Sequence, residues 1–543
     1  MRRFSIAAIL MALSVLVCGA LLAQSVSADR VLASAKVAVV ETESGKIQGF
    51  VHTGTYTYRG IPYARAERFM PPTKVPKWEG TRTALTYGNT CPQIVNPKIN
   101  DVEAFISGRR FWVADENCQY LNIWTPGIND GKKRAVMVWL HGGGFTSGSS
   151  VELTAYDGDN LSKKGDVVVV TVNHRLNVLG FLDLSAYGDK YKFSGNVSIM
   201  DIVAALEWVK DNIASFGGDP ANVTIFGQSG GGGKVSTLMA TPAAKGLFHK
   251  AIIESGSVRR MGSTLAEPKT TRRIAELTLQ YAGLDKSHVD QLQQLPYAEL
   301  SEASEKALKT VGTDLGIKGM FGPGVMWAPV ADGEYLPRDP FGSAAPPESK
   351  DVPLLIGSTL NEFSALNPMT QGKGNWGLDE VKAYLKVQHG DKTDAVVAAY
   401  QKAYPKMKPN EWILIDSMFR SGALTAARMK ADQPAPVYNY LFTWQSPILD
   451  YFWRAGHSME IPFVFNNAEL GEQSTGGGKA VQILTDKVSQ AWINFAKTGS
   501  PNHKGLPDWP AFTRENGATM IFDDPCEVRS NHDKELMSLL APE

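Results

Sequence analysis

The chain has 543 residues, with 55 lysine and arginine residues against 55 aspartate and glutamate residues, and 43% of its residues are hydrophobic. This composition is typical of a globular protein and excludes a disordered or fibrous chain. Because the net charge is zero and no long block of like charge occurs, the sequence offers no electrostatic surface for a phosphate backbone. We therefore expect nucleic acid not to be a partner.

The first 28 residues have the pattern of a secretory signal peptide. Two arginines precede an apolar run from Phe4 to Leu22, and small or apolar residues precede Asp29, as at a cleavage site after Ala28. The alternative is an uncleaved membrane anchor, because the run is about long enough to begin crossing a bilayer. With cleavage we expect a secreted or periplasmic protein of residues 29–543 that has no stable membrane span.

Short apolar runs that end in glycine or polar turns predict the strands of a mostly parallel sheet. Runs without alternation are typical of strands that helices cover on both faces. The runs are 135–140, 167–172, 223–226, 251–253, 354–356, 437–442 and 520–522. Between the second and third runs, apolar residues at three- and four-residue steps from Ile202 to Phe216 predict a helix, so that 167–227 forms a βαβ unit. The sequence predicts an α/β protein.

Two longer stretches interrupt this pattern of strands. Residues 258–350 and 365–435 are mixed and mostly helical, and we expect them to be insertions that form a cap over the sheet. No repeat and no Pro- or Ser-rich linker divides the chain. Although the length alone suits three or four domains of roughly 150 residues, we predict one catalytic domain over residues 29–543.

The segment Gly227-Gln228-Ser229-Gly230-Gly231 follows a predicted strand and precedes a helical pattern. Gly-x-Ser-x-Gly in this context predicts a nucleophile elbow. Glycines flank the serine because a strained, tight turn leaves no room for Cβ atoms. The glycines before Lys234 also resemble a phosphate-binding loop, but that template requires glycine where Gln228 stands and Ser or Thr where Val235 stands. The pattern therefore indicates that Ser229 is a nucleophile.

A second glycine-rich segment, His141-Gly142-Gly143-Gly144-Phe145, follows the predicted strand 135–140. Acyl transfer needs hydrogen-bond donors at the position where the tetrahedral oxyanion forms, and a backbone without side chains can direct its amides to one point. We predict an oxyanion hole made by the amides of Gly143, Gly144 and Gly230. The alternative is an ordinary flexible turn.

A serine nucleophile on such an elbow is followed along the chain by an acid and then a histidine. Beyond Ser229 lie six histidines: His249, His288, His389, His457, His503 and His532. His457 stands in a loop after the strand 437–442, and Glu362 follows the strand 354–356. Composition and spacing do not select either residue from its neighbours.

A series of short motifs runs along nearly the whole mature chain. The motifs are 59–64, 68–72, 116–124, 141–145, 173–176, 180–182, 208–213, 216–220, 227–231, 457–465, 491–492 and 494–499. In this order they resemble the type-B carboxylesterase family, the group of α/β-hydrolases that includes bacterial carboxylesterases and cholinesterases. The resemblance implies an α/β-hydrolase fold and a serine carboxylic ester hydrolase. Its partners are then an ester and water, and it needs neither a metal nor an organic cofactor.

The resemblance also implies roles for particular residues. It gives a triad of Ser229, Glu362 and His457, with an acyl-enzyme formed on Ser229. Cys91 and Cys118 match the family's first disulfide, and they are also the natural pair among the three cysteines of the mature chain in an oxidising compartment, which leaves Cys526 unpaired.

Departures from the family pattern occur beside these residues. Gly230 stands where alanine is usual, Gln228 where glutamate is usual, and Asn117 and Gln119 where aspartate and leucine are usual. None of these changes removes a catalytic atom. Two other functions stay open: a non-catalytic adhesion or binding protein on the same fold, and a serine hydrolase that prefers amides or lipids. The sequence does not select the acyl group, the alcohol group or the oligomeric state.

Overall fold

A sheet of eleven strands forms the centre of the structure, a computed structural model that describes residues 30–93, 101–259, 261–319, 322–364 and 372–541. From edge to edge the strands are Glu527–Ser530, Ala518–Phe522, Val437–Phe442, Leu354–Thr359, Lys250–Glu254, Gly218–Gln228, Arg134–Leu140, Val168–Val172, Tyr120–Thr125, Thr55–Pro62 and Phe50–His52. The seven strands from Ala518–Phe522 to Val168–Val172 are parallel, and the outer pairs are antiparallel. The predicted mostly parallel sheet is confirmed.

Each strand predicted from an apolar run lies in this sheet. Strands such as Arg134–Leu140 and Val168–Val172 are buried along their whole length, which explains their continuous apolar runs. The strands of the predicted βαβ unit are parallel but not neighbours, because Arg134–Leu140 lies between Val168–Val172 and Gly218–Gln228. Gly218–Gln228 begins five residues before the predicted start, with a shift of register between Gly218 and Val223.

Shorter strands form three small sheets beside the central one. Val39–Thr42, Gly45–Gln48 and Thr81–Thr83 make the first, Ala64–Arg65 and Thr73–Lys74 the second, and Lys318–Gly319 and Gly322–Pro323 the third.

Helices cover the sheet and fill the long connections between strands. Those of ten residues or more are Val197–Asn212, Gly230–Met239, Pro268–Tyr281, Tyr297–Asp314, Leu378–His389, Thr393–Ala403, Met418–Lys430 and Gly478–Thr498. The shorter ones are Asp101–Ser107, Asp159–Gly165, Asn177–Phe181, Pro409–Trp412, Ile448–Tyr451, Ile461–Val464, Glu472–Thr475 and Lys534–Leu540. None of the helices in the described ranges is long and apolar enough to cross a membrane.

The helix predicted over 202–216 is present with different ends. It spans Val197–Asn212 and continues as the 3-10 turn Ile213–Phe216. Gly217 then takes a left-handed conformation with φ 74° and ends the helix. The predicted end at Phe216 therefore corresponds to the end of the 3-10 turn.

The two stretches predicted as insertions pack in different ways. In the first, Pro268–Tyr281 and Tyr297–Asp314 pack against each other. In the second, Leu378–His389 packs against Thr393–Ala403, whereas Met418–Lys430 lies on two strands of the central sheet. The last part of the second stretch therefore belongs to the layer that covers the sheet. The division into one domain with a cap stays a prediction, and the signal peptide predicted over residues 1–28 lies outside the described residues.

The three cysteines in the described ranges are buried free thiols, so the disulfide predicted between Cys91 and Cys118 is not formed in the structure. The two thiols are nevertheless neighbours. Burial raises the pKa of Cys118 well above its usual range, and a hydrogen bond with Cys91 raises it further. The pairing stays a prediction, whereas Cys526 hydrogen-bonds to the Asp523 carbonyl at 3.3 Å.

Candidate active site

Ser229 stands on a strained turn at the carboxyl end of a central strand. It separates Gly218–Gln228 from the helix Gly230–Met239, called the elbow helix below, and its backbone has φ 59° and ψ −126°. An L-residue adopts this conformation only where its surroundings enforce it. The Ser229 amide donates to the Glu254 carbonyl at 2.8 Å, and the Gly233 amide donates to the Ser229 carbonyl at 2.9 Å. These bonds hold the turn in place.

The glycines around Ser229 are required by close backbone contacts. A Cβ at Gly227 would lie 2.6 Å from the carbonyl carbon of Gly231, and one at Gly231 would collide with the Leu140 carbonyl. A Cβ at Gly230 would collide with the carbonyl and Cα of Gly144. The glycine that replaces the family's usual alanine therefore lets the segment His141–Phe145, called the glycine loop below, approach the elbow.

The variant Gly230→Ala is expected to lower kcat by about 10- to 100-fold, because the new methyl group must push Gly144 away from the nucleophile. Steady-state rates with a p-nitrophenyl ester, divided by the concentration of active sites, measure this loss. Gly374→Ala is the matched control, since a Cβ there meets no atom within 4 Å. Wild-type kcat in Gly230→Ala would show that the close approach is not needed.

The glycine loop lies directly beside Ser229. Gly143 and Gly144 take left-handed conformations, with φ 82° and 62°, which favour glycine. A Cβ at Gly142 would lie 3.5 Å from the Cβ of Ser229. The structure thus brings the three glycines predicted for the oxyanion hole, Gly143, Gly144 and Gly230, together at Ser229.

His457 and Glu362 form a buried pair near the same edge of the sheet. The Nδ1 of His457 hydrogen-bonds to one carboxyl oxygen of Glu362. The other carboxyl oxygen accepts from the Ser255 hydroxyl at 2.7 Å and from the Thr359 amide at 2.8 Å. A carboxylate only accepts hydrogen bonds, so Nδ1 is the donor in this contact and Nε2 is the ring nitrogen that faces away from Glu362.

The backbone fixes where the acid and the base meet. Glu362 and His457 come from loops that follow the neighbouring parallel strands Leu354–Thr359 and Val437–Phe442. The His457 amide donates to the Glu362 carbonyl at 2.9 Å, and the Asn361 amide donates to the Ala455 carbonyl at 3.0 Å. The two loops are therefore joined along their length, which holds the imidazole against the carboxylate.

The remaining nitrogen of His457 faces Gln228. The side-chain amide nitrogen of Gln228 lies 3.3 Å from Nε2, and its amide oxygen accepts from the Ser458 hydroxyl at 2.9 Å. In the described part of the chain the ring makes no hydrogen bond to Ser229. Such contacts are often long or absent before substrate binds. The Gln228 amide therefore occupies the position at Nε2 that a serine hydroxyl would need in order to hydrogen-bond to the ring.

Aromatic rings enclose the imidazole. The ring centroid of Phe363 lies 4.0 Å from that of His457, and the centroid of Phe419 lies 5.3 Å away. The side chain of Glu362 is almost wholly buried. The pair is therefore held where water is scarce, which strengthens electrostatic interactions.

The other histidines beyond Ser229 lie in different surroundings. His249 accepts from the Val223 amide, exposed His288 contacts Asp285, and His503 contacts the Lys487 carbonyl. His532 is beside Asp533, and the helix Leu378–His389 ends with His389. Of the six, His457 is the one that meets Glu362.

The sequence did not predict the contacts that several other residues make at this site. Ser255 and Thr359 orient Glu362, and Gln228, Phe363 and Phe419 contact His457. Ser255 carries a weak local signal, because it directly follows a buried strand at the edge where the nucleophile stands. Phe419 carries none, because it comes from a helix whose position depends on the tertiary fold.

Two further glutamates are buried close to Glu362. The Glu254 side chain is inaccessible to solvent, accepts a hydrogen bond from the Trp492 indole at 2.8 Å, and has its pKa raised by burial to about 8. The pKa of Glu460 is raised well above its usual range, mainly by burial and to a smaller extent by the charges of Glu254 and Glu362. Both side chains thus favour the protonated form.

The raised pKa of Glu254 predicts a pH dependence of stability. The folded state keeps the proton up to about pH 8, whereas an unfolded glutamate loses it near 4.5. Between these values the folded state binds more protons, so the free energy of unfolding falls as the pH rises. We expect the urea midpoint to fall between about pH 5 and pH 8, and to fall less in Glu254→Gln, which mimics the protonated carboxyl.

Equilibrium urea unfolding at the two pH values tests this expectation, with Glu469→Gln at an exposed position as the control. A drop in midpoint that is the same in Glu254→Gln and in the wild type would contradict it.

A parallel sheet covered by helices, with a serine on a strained strand-to-helix turn and an imidazole–carboxylate pair on the loops that follow later strands, defines an α/β-hydrolase. The predicted fold class is confirmed by comparison with solved structures. An esterase from the anaerobic Clostridium hathewayi that can hydrolyse aliphatic aromatic polyesters superimposes with a TM-score of 0.85 at 38% identity, covering 94% of this chain and 99% of that one.

Comparison with known sequences identifies the family. The model of the carboxylesterase family matches residues 36–539. The para-nitrobenzyl esterase of Bacillus subtilis (strain 168) is 34% identical over 512 residues, covering 93% of this chain and 98% of that protein. The phenmedipham hydrolase of Pseudarthrobacter oxydans is 33% identical over 503 residues, covering 90% and 95%. The chain belongs to the carboxylesterase family and is a carboxylic ester hydrolase, which confirms the resemblance found in its sequence.

Proposed function

We propose that the protein is an exported serine esterase with a catalytic triad of Ser229, His457 and Glu362. One observation carries the proposal: the buried His457–Glu362 pair and the strained Ser229 lie at the same carboxyl edge of the sheet. Serine is weakly nucleophilic at neutral pH and needs an adjacent base, which in turn needs a group that orients it. The three side chains supply these roles in the chain order of α/β-hydrolases.

The proposed reaction has two stages. The Ser229 hydroxyl attacks the ester carbonyl while Nε2 of His457 takes its proton, and the alcohol leaves with that proton, which gives an acyl-enzyme. Water then attacks the acyl group in the same way and releases the acid. Glu362 keeps the proton of the neutral imidazole on Nδ1 and stabilises the imidazolium that forms in each stage.

The amides of Gly143, Gly144 and Gly230 are proposed to stabilise the oxyanion in both stages. Support comes from the position of the glycine loop against the elbow, and from the Gly230 amide at the first position of the elbow helix, where the backbone amide lacks a partner within the helix. Each such donor contributes about 10²- to 10³-fold to kcat in serine hydrolases.

Export is part of the same proposal. The arginine-led apolar run and the Ala28–Asp29 site support cleavage and a secreted or periplasmic location, where the neighbouring Cys91 and Cys118 thiols can oxidise to a disulfide. The intact mass of the exported protein tests both points. It should correspond to a chain that begins at Asp29 and lacks two hydrogens, which reducing agent restores.

The relatives suggest the kind of ester. Their names describe enzymes that act on para-nitrobenzyl esters, on phenmedipham and on aliphatic aromatic polyesters. Phe363, which is partly exposed beside His457, provides aromatic surface at the site. We propose that the substrates are esters with an aromatic group on the acyl or alcohol side.

Trapping of the acyl-enzyme tests the proposed function. Rapid mixing with p-nitrophenyl acetate should release a burst of p-nitrophenol that matches the enzyme concentration whenever deacylation is slower than acylation. Acid quenching followed by peptide mass spectrometry should then find one acetyl group on the peptide that contains Ser229. A burst of p-nitrophenol without acetylation of this peptide, or acetylation elsewhere, would contradict the proposal. Rates with matched aliphatic, aromatic and amide substrates then define specificity.

A further inference from the structure

Lys234 is a fully buried lysine on the elbow helix, five residues after Ser229. All ten residues of this helix are buried, and the Lys234 side chain is 0% exposed. An ammonium group removed from water must find its partners inside the protein, because an unpaired buried charge is strongly unfavourable. Its contacts therefore indicate what the lysine does.

Those contacts lead to the glycine loop. The Lys234 ammonium donates a hydrogen bond to the His141 carbonyl at 2.9 Å. It also lies 5.9 Å from the ring centroid of Phe145, within the range of a cation–π interaction. His141 and Phe145 are the first and last residues of the glycine loop, so one buried cation contacts both of its ends.

The next peptide of the loop is held by His141 itself. Its Nδ1 lies 2.9 Å from the Gly142 carbonyl, and since a carbonyl only accepts, Nδ1 carries the proton. The His141 ring stacks on the ring of His174, with centroids 5.0 Å apart and planes 12° apart. Burial, followed by the charge of Lys234, lowers the pKa of both imidazoles well below the usual range. Both rings are therefore neutral.

These two contacts determine where the loop's amides point. In a trans peptide the C=O and the N–H of one peptide unit point in opposite directions. Lys234 fixes the His141 carbonyl, and His141 fixes the Gly142 carbonyl, whose peptide unit contains the Gly143 amide. Because the Gly142 carbonyl faces the His141 ring, the Gly143 amide of the same peptide unit points away from that ring.

The carboxyl group of Glu152 lies near enough to the buried lysine for the two groups to affect each other's pKa. Burial lowers the pKa of Lys234 to about 7, and Glu152 opposes this effect. Burial raises the pKa of Glu152, and Arg109 and then Lys234 lower it. A Cβ at Gly148 would lie 2.7 Å from His141 Nδ1 and 3.2 Å from a Glu152 carboxyl oxygen. A side chain at position 148 would therefore collide with these polar groups, and glycine lets the chain pass beside them.

We propose that Lys234 is a positioning residue for the oxyanion hole: its hydrogen bond to the His141 carbonyl holds the glycine loop in the position in which the loop's amides can receive the oxyanion. The inference rests on the proposed serine-esterase function. We expect the loss of Lys234 to affect the transition state more than substrate binding, because the amides that it holds in place stabilise the tetrahedral anion more strongly than the neutral ester.

Lys234→Met tests the proposal, because methionine keeps an unbranched apolar stem and removes the ammonium. We expect kcat per titrated active site to fall about 10- to 100-fold, and the inhibition constant of a trifluoromethyl ketone, which forms a tetrahedral oxyanion adduct with the serine, to rise by the same factor. KM for p-nitrophenyl acetate should change less than about threefold, since ground-state binding does not use the oxyanion contacts.

Lys430→Met is the matched control. Lys430 is also 0% exposed and donates to the Ser349 carbonyl at 2.7 Å, on a helix that covers the other part of the sheet. Its variant should lose stability to urea, because the Ser349 carbonyl is left without its donor. It should keep kcat and the inhibition constant within about threefold of the wild type, because Lys430 does not contact the glycine loop.

The outcomes separate a positioning role from a purely structural one. Lys234→Met with wild-type kcat and inhibition constant, or with equal rises in KM and the inhibition constant, would overturn the proposal. If Lys234→Met does not fold, Lys234→Gln, which keeps a neutral donor, is judged by the same criteria. Full activity in Ser229→Ala would instead overturn the proposed function, so the two failures are distinguishable.

Discussion

Replacing Ser229 by alanine is expected to lower kcat for a p-nitrophenyl ester by about 10⁴- to 10⁶-fold. The variant has no hydroxyl to form the acyl-enzyme, and only the donors of the glycine loop and the binding of substrate remain. Folding should be little affected, because the turn is held by backbone bonds of Ser229 to Glu254 and Gly233 and not by the hydroxyl. The thermal unfolding midpoint then stays close to the wild-type value.

A fluorophosphonate probe provides an independent measurement of the same side chain. It should label the wild type at one site and leave Ser229→Ala unlabelled, because its phosphorus is attacked only by an activated serine. Ser236→Ala is the matched control, since Ser236 is a buried serine of the elbow helix that donates to the Gly232 carbonyl at 3.0 Å. Labelling that persists in Ser229→Ala would assign the nucleophile to another residue.

The strands of the fold could be predicted from the sequence where burial on both faces gives a continuous apolar run. Strands such as Arg134–Leu140 are buried on both faces, so each is an uninterrupted apolar run. The ends were less predictable. The first five residues of the strand Gly218–Gln228 are Gly-Asp-Pro-Ala-Asn, a composition typical of a turn, which does not show that the chain is already extended beside Arg134.

The order of the strands in the sheet could not be predicted from the local sequence pattern either. The runs at 167–172 and 223–226 are consecutive predicted strands, yet Arg134–Leu140 lies between them in the sheet. A crossover connection is compatible with either arrangement, because the handedness rule fixes the direction of the crossover and not how many strands it passes. Only tertiary packing decides between them.

Some parts of the candidate site could be predicted from local sequence, whereas others depend on the tertiary fold. The elbow and the glycine loop are short segments whose several glycines indicate a constrained backbone, so both could be predicted from the local sequence. Glu362 and His457 are 95 residues apart, so their meeting depends on the pairing of two strands, and only the family resemblance selected them. Gln228 stands where the family usually has glutamate, but its position in the sequence does not predict its contact with His457.

Replacing Glu362 by glutamine is expected to lower kcat by about 10⁴-fold, although the two side chains have nearly the same shape. The Ser255 hydroxyl and the Thr359 amide both donate to one carboxyl oxygen of Glu362. In the variant the glutamine oxygen must face these two donors, so its NH₂ group faces Nδ1 of His457. Nδ1 can then only accept, the proton moves to Nε2, and the imidazole cannot take the proton of Ser229.

Asp416→Asn is the matched control for Glu362→Gln. Asp416 is another buried carboxyl close to Glu362. Its own burial and, to a smaller extent, the charge of Glu362 raise the pKa of Asp416 to about 7. Its carboxyl accepts from the Arg420 amide at 2.9 Å, so its variant should keep kcat within about threefold. Fluorophosphonate labelling of Glu362→Gln should slow together with kcat while the thermal midpoint changes little. If Glu362→Gln instead kept kcat within tenfold, the tautomer would be held by another group and Glu362 would not be the acid of the triad.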